Sequence, residues 1–543
     1  MRSTMIKRLH LGILTALLAV SAESVAQVLV QAPAGPVQGV VIDNVAAYKG
    51  LPYAQAPIGP LRWRAPVALA AWTQTRVADD FAAACPQPRP AGPSLYAPTL
   101  PKMSEDCLYL NIWTPPKVEK APVMVWIHGG SLMAGAGNDG LYEGAALAAQ
   151  GLVVVTINYR LGVLGYLAHP ELSAENLEGV SGNYGLLDQI QALKWVRDNI
   201  AAFGGDPSNV SIVGESAGGL SVLYLMASPQ ARGLFHKAVA QSAYMISTPE
   251  LQRSSHGDVP AQESGRRLAQ RLKLDIAGLR NMDAMALVRA AEAIRFMPSG
   301  TVDGKILPRQ LVDTFNRGEQ APVPVLAGFN DGEIRSLPFL APPAPATAQA
   351  YEATIRARYG DLADTFLGQH PSSAMTESVQ TAVRDAMYGW TAEKLVRRQT
   401  ELGQPAYFYY FDHAYRATNE AKLHAFHAAE IPYIFATFDR TPAAWPRPPL
   451  TRGEARLSEA MSQYWVSFIR TGQPRAEGQA QWLPYGQDRN YLAFEDVPRT
   501  GRHLAPGMFE LNDEVVCRRF KEGGVPWSWN VGLRAPSAMP PGC

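Results

Sequence analysis

The chain has 543 residues, long enough to bury a large core, and 47% of them are apolar. Its 49 basic and 48 acidic side chains leave a formal charge of +1, which excludes the strong single-sign field of a nucleic-acid or anionic-membrane binder. Small molecules are the expected partners.

The first segment reads as a leader. Arg2, Lys7 and Arg8 precede a short apolar run over residues 11–20, and Ser24-Val25-Ala26 supplies a small-x-small cleavage pattern. These are the marks of a secretory signal peptide over residues 1–26, too short for a membrane span. A retained N-terminal anchor is the alternative, although no later stretch is long and apolar enough to cross a bilayer. Export to the periplasm or beyond gives the four cysteines, Cys85, Cys107, Cys517 and Cys543, an oxidising compartment that favours disulfides. Three pairings are open. The sequence-local one, Cys85–Cys107 and Cys517–Cys543, closes two short loops, each worth about 3 kcal/mol on a loop-entropy argument.

Buried strands are expected over residues 123–127, 153–157, 210–213 and 323–327, where β-formers run together. Pro324 puts the last at a strand start or a sheet edge. Helical periodicity covers residues 188–200 and the segment after Ser216. Strands separated by helices predict βαβ units and a mostly parallel sheet. Proline-rich patches near 86–101, 337–345 and 441–449 read as long surface loops or lids of one catalytic domain, residues 27–543.

The third strand runs directly into Gly214-Glu215-Ser216-Ala217-Gly218-Gly219, followed by a helical stretch. Strand, sharp turn and helix around G-x-S-x-G form the context in which a serine becomes a nucleophile. A glycine-rich turn with an ordinary serine is the bland alternative. The N–H of Ala217 and those of His128-Gly129-Gly130-Ser131, at the end of the first strand, are candidate oxyanion donors. Gly135-Ala136-Gly137-Asn138-Asp139-Gly140 matches a dinucleotide fingerprint but lacks the strand before it and the acid after it, so it is read as a decoy. The order serine, acid, histidine leaves His370, His413, His424, His427 and His503 as bases, and the residues alone do not choose among them.

The serine phrase, with Glu105-Asp106-Cys107-Leu108-Tyr109-Leu110-Asn111 upstream, resembles the type-B carboxylesterase/cholinesterase family. Tyr48-Lys49-Gly50-Leu51-Pro52-Tyr53-Ala54, Asn158-Tyr159-Arg160, Gly182-Asn183-Tyr184-Gly185-Leu186-Leu187-Asp188 and Gly204-Gly205-Asp206-Pro207 extend the likeness over nearly the whole chain after the leader. It is similar to the bacterial p-nitrobenzyl-esterase branch. The resemblance implies an α/β-hydrolase fold, with a large mostly parallel sheet flanked by helices and long loops forming a gorge. It also implies hydrolysis of a small-molecule ester through a Ser-Glu-His triad and an acyl-enzyme, with no metal or organic cofactor.

Residue by residue, Ala425-Phe426-His427-Ala428-Ala429-Glu430-Ile431-Pro432-Tyr433 matches the family's histidine phrase and selects His427; His424 becomes structural or superficial. Counting from Gly328 in Gly328-Phe329-Asn330-Asp331-Gly332-Glu333-Ile334 places Glu333 on the family's acid. This chain departs from the phrase at Gly332 and Ile334, which keeps Asp331 as a rival. Gly130, Ser131 and Ala217 match the oxyanion donors. Ser131 stands where many relatives have glycine, and its Cβ is expected to crowd bulky alcohols, making tertiary-alcohol esters poor substrates. Glu215, Ser242 and Glu430 match supporting polar positions, and Cys85 and Cys107 the family's first disulfide.

Two rivals follow from the same residues: a lactonase or amidase using the same triad, and a non-catalytic binding protein on the same fold. Arg335, two residues beyond Glu333, is a candidate reader of a substrate carboxylate, with plain solvation the commoner explanation.

Overall fold

The computed structural model describes residues 26–89, 92–96, 100, 102–115, 117–527, 529–536 and 543. The expected leader lies outside these apart from Ala26, which opens the first strand.

Among the described residues, thirteen strands form one sheet. In chain order they are β1 (Ala26–Ala32), β2 (Gly35–Ile42), β3 (Val45–Pro52), β4 (Arg76–Val77), β5 (Tyr109–Thr114), β6 (Ala121–Ile127) and β7 (Val153–Ile157). Then come β8 (Gly205–Glu215), β9 (Lys237–Gln241), β10 (Val325–Asn330), β11 (Ala406–Phe411), β12 (Asn490–Phe494) and β13 (Pro498–Arg502). The sheet order is β1-β2-β3-β5-β7-β6-β8-β9-β10-β11-β12-β13, with β4 beside β2. From β7 to β12 every neighbouring pair is parallel, while the flanks are antiparallel. This is the α/β-hydrolase architecture. The expected strand at 323–327 is displaced: β10 starts after Pro324 and runs to Asn330. It is not an edge strand, since it pairs with both β9 and β11. Proline precedes it because a central strand needs every N–H for its ladder.

Alternation within the central strands shows why the sheet is sandwiched. Val123, Val125 and Ile127 pack into one apolar layer with Leu193, Val196 and Leu223. Met124 and Trp126 point the other way, into a layer with Phe435, Trp465 and Phe468. Successive side chains on a strand face opposite sides, so an unbroken apolar run is what a doubly covered strand requires. The helices supplying these layers include Tyr184–Asn199 and Ala217–Ala227 on the first side and Arg452–Thr471 on the second.

The sequence phrases that carry the family likeness meet in space. Arg160 grips Asp188 at 2.7 and 2.8 Å, both side chains fully buried, and the Arg160 N–H adds a third bond at 3.0 Å. Asn111 accepts from the Gly50 N–H at 2.9 Å and donates to Thr156 Oγ1 at 3.0 Å. Arg62 holds Glu105 through two 2.6 Å contacts. Removing one partner of a buried pair strands the other's charge, so Asp188→Ala is expected to cost about 3–5 kcal/mol in denaturant unfolding. A loss below about 1 kcal/mol would contradict that role.

Both sequence-local disulfides form, Cys85–Cys107 and Cys517–Cys543. Among the described residues, no helix is long and apolar enough to cross a membrane.

Candidate active site

The loops after β6, β8 and β10 converge at the carboxyl ends of parallel strands, where this class of sheet opens a crevice. β8 ends at Glu215, and Ser216 adopts φ 57°, ψ −122° before the helix Ala217–Ala227 begins. A non-glycine residue there is strained, and such strain is retained where the surroundings enforce it. Here the enforcement is close packing. A Cβ at Gly214 would lie 2.5 Å from the Gly218 backbone, and one at Gly218 only 2.0 Å from Ile127 O. The Ser216 N–H is pinned to Gln241 O at 3.0 Å. The serine is thus held out of line at the helix start.

The β6 loop lies against it. A Cβ at Gly129 would stand 3.1 Å from Ser216 Cβ. Gly130 and Ser131 follow with φ of 102° and 57°, and among the described residues neither N–H donates to another backbone group. His128 is buried and stacked on Tyr159, and burial pushes its imidazole down to about 4. It is therefore neutral, and its ring supports the turn. A Cβ at Gly135, within the decoy glycine motif, would sit 2.3 Å from His128 Nδ1, so that glycine serves the same turn.

β10 delivers the acid. Glu333 starts a short 3₁₀ turn and is fully buried. Its Oε1 accepts from the Asn330 N–H at 2.8 Å, and its Oε2 is in close contact with His427 Nδ1. Backbone pairing of Gly332 with the 425–426 segment brings the two loops together. Asp331, the rival acid, is taken up elsewhere, by Arg384 at 2.5 Å and the Tyr410 hydroxyl, with His424 Nδ1 at 3.4 Å. Glu333 is therefore the carboxylate that meets the imidazole.

Glu215 is the second carboxylate at that ring, its Oε1 3.1 Å from His427 Nε2. Burial pushes Glu215 up to about 8, with Glu430 and Glu333 adding to the rise and His427 opposing it. Burial alone would lower His427, but Glu215 and Glu333 outweigh it and hold the imidazole up at about 9. With Glu333 at Nδ1, the other imidazolium proton sits on Nε2, which faces Glu215 across 3.1 Å without a hydrogen bond to it. No hydrogen bond joins Ser216 Oγ to His427 among the described residues. Glu215 instead lies beside Nε2.

Glu430 closes a polar ring behind the histidine, accepting from Gln241 Nε2 at 2.9 Å and Asn330 Nδ2 at 2.7 Å. Ser242 does not join it: among the described residues its buried hydroxyl has no partner, and its N–H is engaged by Gly328 O at 2.9 Å.

Ser216, Glu215 and His427 border one cavity of about 800 Å³, lined mostly by apolar and aromatic side chains. All three proline-rich patches contribute to its walls, through Tyr96, Phe339 and Trp445 among others. That volume and lining suit an uncharged organic group better than a phosphate or a sugar.

A family model described as the carboxylesterase family matches residues 26–510. The chain belongs to the carboxylesterase family. It is 36% identical to the para-nitrobenzyl esterase of Bacillus subtilis (strain 168) over 469 residues, covering 84% of this chain and 92% of that one. It is likewise 36% identical to the fumonisin B1 esterase of Sphingopyxis macrogoltabida over 490 residues, 87% of each chain. A solved para-nitrobenzyl esterase structure superposes with a TM-score of 0.76 at 31% identity, covering 89% of this chain and 99% of that one.

Two features of this carboxylesterase depart from the sequence reading. Arg335 does not face the cavity; Glu377, on the helix Met375–Arg384, holds it with both oxygens at 2.8 Å. It is an ion-paired arginine outside the cavity lining. Conversely, the walls around the imidazole went unanticipated. Tyr96 donates to Ser336 Oγ at 2.6 Å and also lies 3.1 Å from His427 O. Tyr388 packs its ring 5.3 Å from the imidazole. It rides on a π-helical turn, Asp385–Gly389, a distortion that recurs at functional sites.

Proposed function

We propose that this carboxylesterase is a secreted or periplasmic enzyme, with residues 27–543 as its catalytic unit, acting through Ser216, His427 and Glu333. The observation that carries the reading is a strained serine at the head of a helix, in one cavity with a histidine whose Nδ1 is held by a buried glutamate. The leader pattern and two disulfides support export.

In the proposed reaction, neutral His427 takes the Ser216 proton on Nε2 as Oγ attacks the ester carbonyl. Glu333 fixes the tautomer and stabilises the charged ring. The N–H groups of Gly130, Ser131 and Ala217 receive the developing oxyanion, each worth roughly 3 kcal/mol. His427 then protonates the departing alcohol, and a water activated by the same ring releases the acid.

Comparison of a matched ester, amide and lactone of one acyl group tests the reaction class. The ester should be the preferred substrate by at least tenfold in kcat/KM. Preference for the amide or lactone would overturn the ester assignment, and inertness toward all three would favour a binding protein.

Glu215 sets the pH dependence. Because only the neutral imidazole accepts a proton, and its pKa is held at about 9, kcat/KM should rise with pH to about 9. Glu215→Gln removes a negative charge at Nε2, so the acidic limb should move to lower pH. A limb that stays in place in the variant would contradict this arrangement.

Ser131 narrows the alcohol side. Replacing it with glycine removes both the Cβ and the left-handed strain. Ser131→Gly should raise turnover of tert-butyl acetate, relative to n-butyl acetate, by about tenfold, the equivalent of about 1.4 kcal/mol. An unchanged ratio would show that the crowding lies elsewhere.

A further inference from the structure

The cavity's lining includes two carboxylates and two arginines. Its carboxylates are committed: Glu215 pairs with His427 beside Ser216, and Asp139 caps a 3₁₀ turn by accepting from the Leu141 N–H at 3.0 Å. Its two arginines, Arg89 and Arg534, have no acidic partner among the described residues. Each lies on a segment closed by a disulfide, Arg89 between Cys85 and Cys107, Arg534 between Cys517 and Cys543.

Arg534 is the better placed. It sits in the short turn Gly532–Arg534, and its Nη1 donates to Phe339 O at 3.2 Å and Leu340 O at 2.9 Å. Those two bonds fix one edge of the guanidinium and leave Nε and Nη2 without a partner among the described residues. Phe339 is 69% exposed and Met297 68%, and both border the cavity, so this is its rim. Arg534 therefore stands at an apolar mouth, beside Phe339 and Leu340, with no ion pair to the cavity's carboxylates among the described residues. Arg534 is exposed, and a guanidinium with a free edge pairs well with a carboxylate.

We propose that Arg534, with Arg89 as a second cation, forms a subsite for an anionic group at the far end of an apolar ester chain. The occupant is an ester whose scissile carbonyl reaches Ser216 while a terminal carboxylate stays at the mouth. This rests on the esterase reading and adds a substrate class to it.

Two substrates of equal chain length test the subsite: 4-nitrophenyl octanoate, which is neutral, and 4-nitrophenyl hydrogen suberate, which carries a terminal carboxylate. In the wild-type enzyme the charged ester should match or exceed the neutral one in kcat/KM. Arg534→Ala should lose at least tenfold on the charged ester and stay within about twofold on the neutral one. Arg534→Gln retains a donor for the carbonyls of Phe339 and Leu340, and should show the same selective loss if the alanine variant folds poorly. Arg89→Ala should show a smaller loss of the same kind. Equal losses on both esters, or no loss on the charged one in either Arg534 variant, would overturn the subsite. Failure of the wild-type enzyme on both esters would instead overturn the esterase reading beneath it.

Discussion

Ser216→Ala is expected to lower kcat/KM on 4-nitrophenyl butyrate by on the order of 10⁵-fold. The expectation follows from position as much as from the residue type. Ser216 sits at the C-terminal end of a central strand with its backbone forced to φ 57°, ψ −122°, which turns the residue toward the cavity. The residual rate should come from the backbone donors of Gly130, Ser131 and Ala217, which survive the substitution. The same strain predicts a stability gain in the opposite sense. Ser216→Gly should be as inactive, yet more resistant to denaturant by about 1 kcal/mol, because glycine adopts that backbone conformation without penalty. A variant of either kind that keeps more than about 1% of the wild-type rate would contradict the role proposed for Ser216.

Glu333→Gln should cost on the order of 10⁴-fold in kcat, since an amide cannot hold Nδ1–H and stabilise the imidazolium as a carboxylate does. Asp331→Asn is the informative contrast. Asp331 lies two residues away and was the rival acid, but its oxygens serve Arg384 and Tyr410. Its loss should leave kcat within about threefold and appear as lowered stability, because Arg384 then keeps only Asp385, at 2.7 Å, as an acidic partner. Measuring kcat and thermal unfolding for both variants separates the roles. A large catalytic loss in Asp331→Asn with a small one in Glu333→Gln would reverse the assignment.

Local pattern made much of this legible. Unbroken apolar runs marked the central strands because those strands are covered on both faces, and the glycines around Ser216 marked the turn because any Cβ there would collide. The family phrases added His427 and ordered the acids. What stayed hidden was pairing across long stretches of chain. Nothing near Glu215 in sequence indicates that its carboxylate reaches His427, 212 residues on. Arg335 looked available because Glu377, which claims it, lies on a separate helix. Pro324 left a strand start or an edge open, and it is the start that holds, since proline just before a strand spares the ladder and leaves β10 central. Tyr388 depends on a π-helical turn that no side-chain periodicity announces, and Arg534 on a carboxyl-terminal segment folded back to the mouth of the cavity.

The central claim is that Ser216, activated by His427, is the reacting group. It is tested most directly by treating the folded protein with a fluorophosphonate and locating the adduct by mass spectrometry. One adduct per chain is expected, on Ser216, absent in Ser216→Ala and formed far more slowly in His427→Ala. An adduct on another residue, or labelling that persists in Ser216→Ala, would contradict it.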